Sequence, residues 1–179
     1  MKEKIDYVIR KEETVDFTGI REINLQAFGN GENEANLIEL IRNSENFIPD
    51  LSLVAANGDG EIIGHILFSI IHLVTEQGIV PTLGLAPMAV NPGYQNSGIG
   101  SSLVKEGIKA CKAFGYDHVF VLGHPNFYPR FGFSPSSQFG IKAPFPVPDE
   151  VFMALELKKG SLTGLKGKIE YPPAFNAVS

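Results

Sequence analysis

The stretch from Leu83 to Ser102, LGLAPMAVNPGYQNSGIGSS, constrains this chain more than any other. Leu83, Leu85 and Met88 to Val90 give its first part the character of an apolar strand. Asn91-Pro92-Gly93 then breaks that strand, because proline fixes φ and glycine permits positive φ. Gln95-Asn96-Ser97-Gly98-Ile99-Gly100 follows, and after it an apolar helical pattern runs to Phe114. Asn96 or Ser97 is expected to cap that helix, and the glycines let its first amides approach a bound group with no Cβ in the way. Unpaired N–H groups and the positive end of a helix dipole make such a start a cradle for phosphate. Pro87 adds a second constraint. A proline within an apolar strand cannot donate to a ladder, so it belongs at an edge or a bulge. The strand is expected to part from a neighbour there and to turn amides, those of Met88 and Val90, toward a cleft. A slot beside an opened strand, ending at a helix N-terminus, suits an extended ligand with an amide-bearing arm and a diphosphate.

Bulk properties narrow the class. A chain of 179 residues fits one domain, spanning 1–179, with a core large enough to be stable. Hydrophobic residues at 44% and charged residues at 20% are an ordinary globular mix. A formal net charge of −5 disfavours sequence-independent nucleic-acid binding and is compatible with a cationic substrate such as an amine. The single cysteine, Cys111, excludes an intrachain disulfide framework and a cysteine-rich zinc site. The charged start MKEKIDYVIRKEE lacks an apolar signal core, and no apolar run reaches membrane-spanning length, so no membrane partner and a cytoplasmic location are expected.

In chain order, Ile5 to Arg10 reads as a strand, Thr14 to Phe28 and Asn36 to Arg42 as helices, and Leu51–Ala56 and Ile62–Val74 as strands about an Asn57-Gly58-Asp59-Gly60 hairpin turn. The Leu83–Val90 strand and a helix from Gly98 to Phe114 come next, then a short central strand from His118 to Leu122. Asn126 to Phe133 is a compact turn or short helix, Val151 to Leu157 a strand, and Gly167 to Phe175 a last short strand. That order predicts an α/β fold with one mixed central sheet flanked by helices, the main helix crossing between the pivotal strand and the next.

With these residues in view, the chain resembles the GNAT superfamily of acetyl-CoA-dependent N-acyltransferases. The likeness rests on the strand ending APMAVNP, the Gln95-x-x-Gly98-x-Gly100 loop and the Tyr128-Pro-Arg-Phe-Gly132-Phe133 turn. The turn Gly123-His-Pro-Asn-Phe-Tyr-Pro-Arg-Phe-Gly-Phe makes it similar in particular to small bacterial predicted acetyltransferases. The resemblance implies a GNAT-like sheet with a splayed strand at the cofactor cleft. It implies that the segment Met88, Ala89, Val90 holds a pantetheine arm, and that Gln95, Asn96, Ser97, Gly98, Ile99, Gly100 and Ser101 hold the pyrophosphate of acetyl-CoA. Tyr128 matches the tyrosine that protonates the departing thiolate in many members, with a primary amine as acceptor and no metal. The chain departs from the pattern in places. Asn126 lies two residues before Tyr128 rather than seven, so no cofactor role passes to it, and Asn96-Ser97 replaces a commoner Gly-Lys pair.

Plainer readings stand beside these. The glycines of the loop also suit an ordinary helix start packed tightly, and a dinucleotide site would need the loop after a first strand, which is not where it lies. Tyr128 also suits aromatic packing with Phe127, Phe131 and Phe133, and Pro129 biases it away from helical backbone. Arg130 reads as a structural or surface cation rather than a cofactor ligand. For a base, His65 and His72 fall on opposite faces of one strand, His124 follows the strand beside the cleft, and Glu32 and Glu34 sit in the first helix–helix connection, which the resemblance implies is the acceptor wall, with a water chain as the alternative to all of them. Cys111 reads as a small core residue. A non-catalytic acyl-CoA-binding or regulatory module on the same fold is the alternative function, and a homodimer is left open as the assembly.

Overall fold

The structure, a computed structural model, describes residues 5–176. The elements are β1 (Tyr7–Lys11), α1 (Phe17–Ala27), α2 (Asn33–Arg42), β2 (Phe47–Asn57), β3 (Ile62–Thr75), β4 (Gly78–Val90), α3 (Ile99–Phe114), β5 (His118–Leu122), β6 (Ser134–Pro135), β7 (Ile141–Lys142), β8 (Phe152–Glu156), β9 (Gly167–Glu170) and α4 (Pro173–Asn176). All nine strands join one sheet, in the order β1-β2-β3-β4-β5-β8-β6, with β9 paired to β3 and β7. Pairing is antiparallel except for β4 with β5 and β7 with β9. A parallel pair needs a crossover, and α3 supplies the one between β4 and β5.

The alternation of β3 sorts the two faces of the sheet. Ile66 and Phe68 point to the α3 side, where they join Leu53, Leu83, Ile99, Leu103, Val104 and Cys111 in the largest apolar cluster. Gly107 lets α3 lie close, since a Cβ there would stand 2.4 Å from a Phe68 ring atom. Leu67 belongs to the other face, packed with Val54 under Ile20, Leu37, Ile38 and Ile41 of α1 and α2. Each side therefore buries one helical stripe on one strand face, as layered folds require.

Two local features open the cleft. Phe68 pairs with Leu85 and Ile66 with Met88, so Ala86 and Pro87 stand opposite Leu67 alone in a β-bulge. On the other edge β4 pairs with β5 only from Leu83 to Leu85, opposite Val119 to Val121. Past Leu85 the two parallel strands part, as the position of Pro87 in the sequence led us to expect.

The structure moves several sequence boundaries, β2 among them, which starts at Phe47 rather than Leu51. β4 starts at Gly78 rather than Leu83, because the β3–β4 hairpin closes down to the Thr75–Gly78 pair. The last strand ends at Glu170 instead of Phe175: Pro172 and Pro173 have no N–H for a ladder, and Pro173 opens α4. β6 and β7, of 2 residues each, were not foreseen and are too short for periodicity to mark.

Candidate active site

The Asn91 amide donates to the Ile63 carbonyl at 2.8 Å. Amides two residues apart on a strand face the same way, so that of Ala89 also points to β3. Those of Met88 and Val90 face the opposite side, where no β5 residue pairs with them. They look into a cavity of about 680 Å³ between the parted strands. Along one wall lie Met88, Ala89, Val90, Gln95, Asn96, Gly98, Ile99, Gly100 and Ser101. Ser97 is the one residue of the expected cradle that does not line it.

The N-cap position of α3 falls on Gly98, at φ 87, rather than on Asn96 or Ser97. The Ser97 hydroxyl instead donates to the Tyr94 carbonyl, and Asn96 sits in the left-handed region at φ 63. The first ladder bond runs from the Ser102 amide to the Gly98 carbonyl at 3.0 Å, so the amides of Ile99, Gly100 and Ser101 precede it. A Cβ on Gly98 would meet nothing within 4 Å, and one on Gly100 would meet nothing closer than 3.7 Å. Tight packing therefore does not account for these glycines. Gly98 is needed for its backbone angle, and the space above both remains open to a ligand.

The facing wall comes from the turn after β5, where His124, Phe127 and Arg130 line the cavity, while Ala27 and Phe28 reach it from the end of α1. Tyr128 does not line it. The residue is 7% exposed and opens a short 3-10 helix, Tyr128–Phe131, despite the bias of Pro129, which at a helix start forfeits no needed N–H. Phe127 and Phe133 meet its ring edge-on at 5.0 and 5.6 Å. The ring lies against Gly123, where a Cβ would fall 2.4 Å from Tyr Cε2. Burial pushes the Tyr128 hydroxyl up to about 12, so it keeps its proton at neutral pH. Tyr128 thus sits directly behind the wall formed by its neighbours His124, Phe127 and Arg130.

Other candidates fall elsewhere. His65 is fully buried, and burial, helped by the Arg42 charge, pulls it down to about 3. Its Nε2 lies 2.9 Å from the Ser52 hydroxyl, which donates to Glu12, and Arg42 donates to both Glu12 oxygens at 3.0 and 3.1 Å. The shared hydroxyl must accept from His65, which places the imidazole proton on Nε2. His72 belongs to the part of β3 paired with β9, away from the bulge. Glu32, Glu34 and Asn126 do not line the cavity. Cys111 is buried, with its thiol pushed up to about 12, as suits an inert core residue. Among the sequence candidates for a base, only His124 reaches the cleft. Tyr94, Phe127 and Arg130 were not foreseen as lining residues, because only the splay of the strands brings the two segments face to face.

The sequence profile of the Acetyltransferase (GNAT) family matches residues 17–133. The chain is 38% identical over 155 residues to the uncharacterized N-acetyltransferase YjhQ of Escherichia coli K12, covering 83% of this chain and 84% of that protein. It is 32% identical over 169 residues to the uncharacterized N-acetyltransferase YhbS of the same strain, covering 94% and 98%. Among solved structures, the E. coli YhbS complex with CoA superposes with a TM-score of 0.88 at 30% identity, over 98% of this chain and 95% of that one. A GNAT family acetyltransferase from Brucella melitensis, in complex with acetyl-CoA, gives 0.77 at 28% identity over 95% and 98%.

Proposed function

This chain belongs to the GNAT acetyltransferase family, and on that premise we propose that it moves an acetyl group from acetyl-CoA to a primary amine by direct attack, as one N-acetyltransferase domain over 1–179 working in the cytoplasm. The observation that carries the reading is the cavity between the parted β4 and β5, with the Met88 and Val90 amides turned from β3 along it and the Gly98-led start of α3 at its end. Those amides suit a pantetheine arm, and the amides from Gln95 to Ser101 suit its diphosphate. Two relatives are crystallised with CoA or acetyl-CoA, which supports the same donor here.

Acetyl-CoA brings an activated thioester. The amine nitrogen forms a bond to the thioester carbon, and negative charge on the carbonyl oxygen is met by a backbone amide at the bulge. The C–S bond then breaks with its electron pair on sulfur, and Tyr128, packed just behind the cavity wall, passes a proton to that thiolate through a water in the cleft. A free thiol titrates near about 8.5. The hydroxyl of Tyr128, at about 12, therefore arrives at the step still protonated. The proton lost by the amine goes to His124 or to water and from there restores the Tyr128 hydroxyl, so protons balance over the cycle.

A panel of amines assayed by thiol release tests this reading. Initial rates that vary with both substrates in a sequential pattern, with no acetyl group retained on the protein, are the expected result. Acetyl transfer to the protein in the absence of amine would contradict direct attack. CoA binding without turnover on any amine would favour the non-catalytic binder.

A further inference from the structure

The charge on the cleft is one-sided. The chain holds 20 acidic and 15 basic residues, yet among the described residues no carboxylate lines the cavity. The loop from Tyr94 to Ser102 contains no lysine or arginine, and the first cation of α3 is Lys105, beyond the first turn. A helix dipole supplies roughly half an elementary charge at its N-terminus. That is too little to balance a ligand with several phosphate charges.

Arg130 lines the same cavity from the facing wall. Its guanidinium lies over the Phe127 ring, 4.8 Å from the centroid, and makes no ion pair among the described residues. The far edge of that ring, Cζ, stands 3.8 Å from where a Cβ on Gly100 would be. Phe127 therefore spans the gap between the first turn of α3 and the guanidinium, and holds a full cation within reach of a group seated on the helix amides. An arginine stacked on an aromatic ring loses little side-chain freedom when it engages a phosphate, and its planar fork matches phosphate oxygens in pairs.

We propose that Arg130, steadied by Phe127, is the cation of the phosphate cradle and binds a phosphate of CoA from the wall opposite α3. The proposal rests on the acetyl-CoA reading above. The shared chemistry is a phosphate dianion or diphosphate, from either the pyrophosphate bridge or the ribose 3′-phosphate.

Calorimetric titration of the full chain and of Arg130→Gln and Arg130→Lys tests it, with CoA, 3′-dephospho-CoA and pantetheine as probes. Arg130 is exposed, so these substitutions leave the core untouched. Loss of a charge-assisted contact predicts CoA affinity about tenfold weaker in Arg130→Gln, with a flatter salt dependence, and partial recovery in Arg130→Lys. Pantetheine should bind all three proteins alike. A loss that persists with 3′-dephospho-CoA places Arg130 on the diphosphate, and one that disappears places it on the 3′-phosphate; either supports the proposal. Arg130→Gln binding CoA within twofold of the unsubstituted chain, with the same salt dependence, overturns it. Absence of CoA binding to the unsubstituted chain would instead remove the acetyl-CoA reading beneath it.

Discussion

At the scale of single residues the proposed chemistry turns on Tyr128, whose ring is packed and whose hydroxyl is held protonated by burial. Tyr128→Phe keeps the packing and removes the proton. Steady-state kinetics should show kcat lower by about a hundredfold or more with KM for acetyl-CoA little changed. An unchanged kcat at every pH would leave Tyr128 a packing residue only. Gly123→Ala tests the same hydroxyl from behind, since the added Cβ would displace the ring. Its kcat should fall while the CoA dissociation constant stays put, and a parallel loss of both would mean that the turn as a whole had moved. Tyr128 was legible from its place in the turn after β5. That it lies behind the wall rather than in it was not, because burial depends on Phe127 and Phe133 closing over it.

At the scale of elements, two glycines of α3 serve opposite ends and separate binding from stability. Gly98 faces open space and is required only for φ 87, whereas Gly107 is pressed against Phe68. Gly98→Glu should leave a folded protein, at a cost of about 1–2 kcal/mol for the left-handed backbone, that no longer binds CoA. Retained CoA affinity would show the cradle to be misplaced. Gly107→Ala should lower the free energy of unfolding by about 1–3 kcal/mol in a denaturant titration, through overpacking, with CoA affinity intact in the folded protein. The β4–α3 pair was readable in outline, since Pro87 marked the bulge and Gly98 the helix start. That Gly98 takes the N-cap position while Ser97 turns back to the Tyr94 carbonyl is a choice local spacing does not reveal.

For the molecule as a whole, the face under α1 and α2 is tied by the buried chain Arg42–Glu12–Ser52–His65, which joins α2 to β2, β3 and the residue after β1. His65 stays neutral when folded, down to about 3, and titrates near 6.5 when unfolded. Between those values the unfolded chain binds the extra proton, so stability falls as pH drops from about 6.5 toward 3. The share due to His65 is about 1.4 kcal/mol per pH unit. His65→Gln should remove that share of the slope in urea titrations across the window; an identical slope would place the proton elsewhere. Nothing in the sequence announced this network, because its members are far apart in the chain and only the sheet register joins them. Titration calorimetry of the purified protein with acetyl-CoA, CoA and a nicotinamide dinucleotide tests the cleft most directly. One-site, micromolar binding of both CoA forms with none of the dinucleotide is the predicted result, and failure of either CoA form to bind would contradict the account.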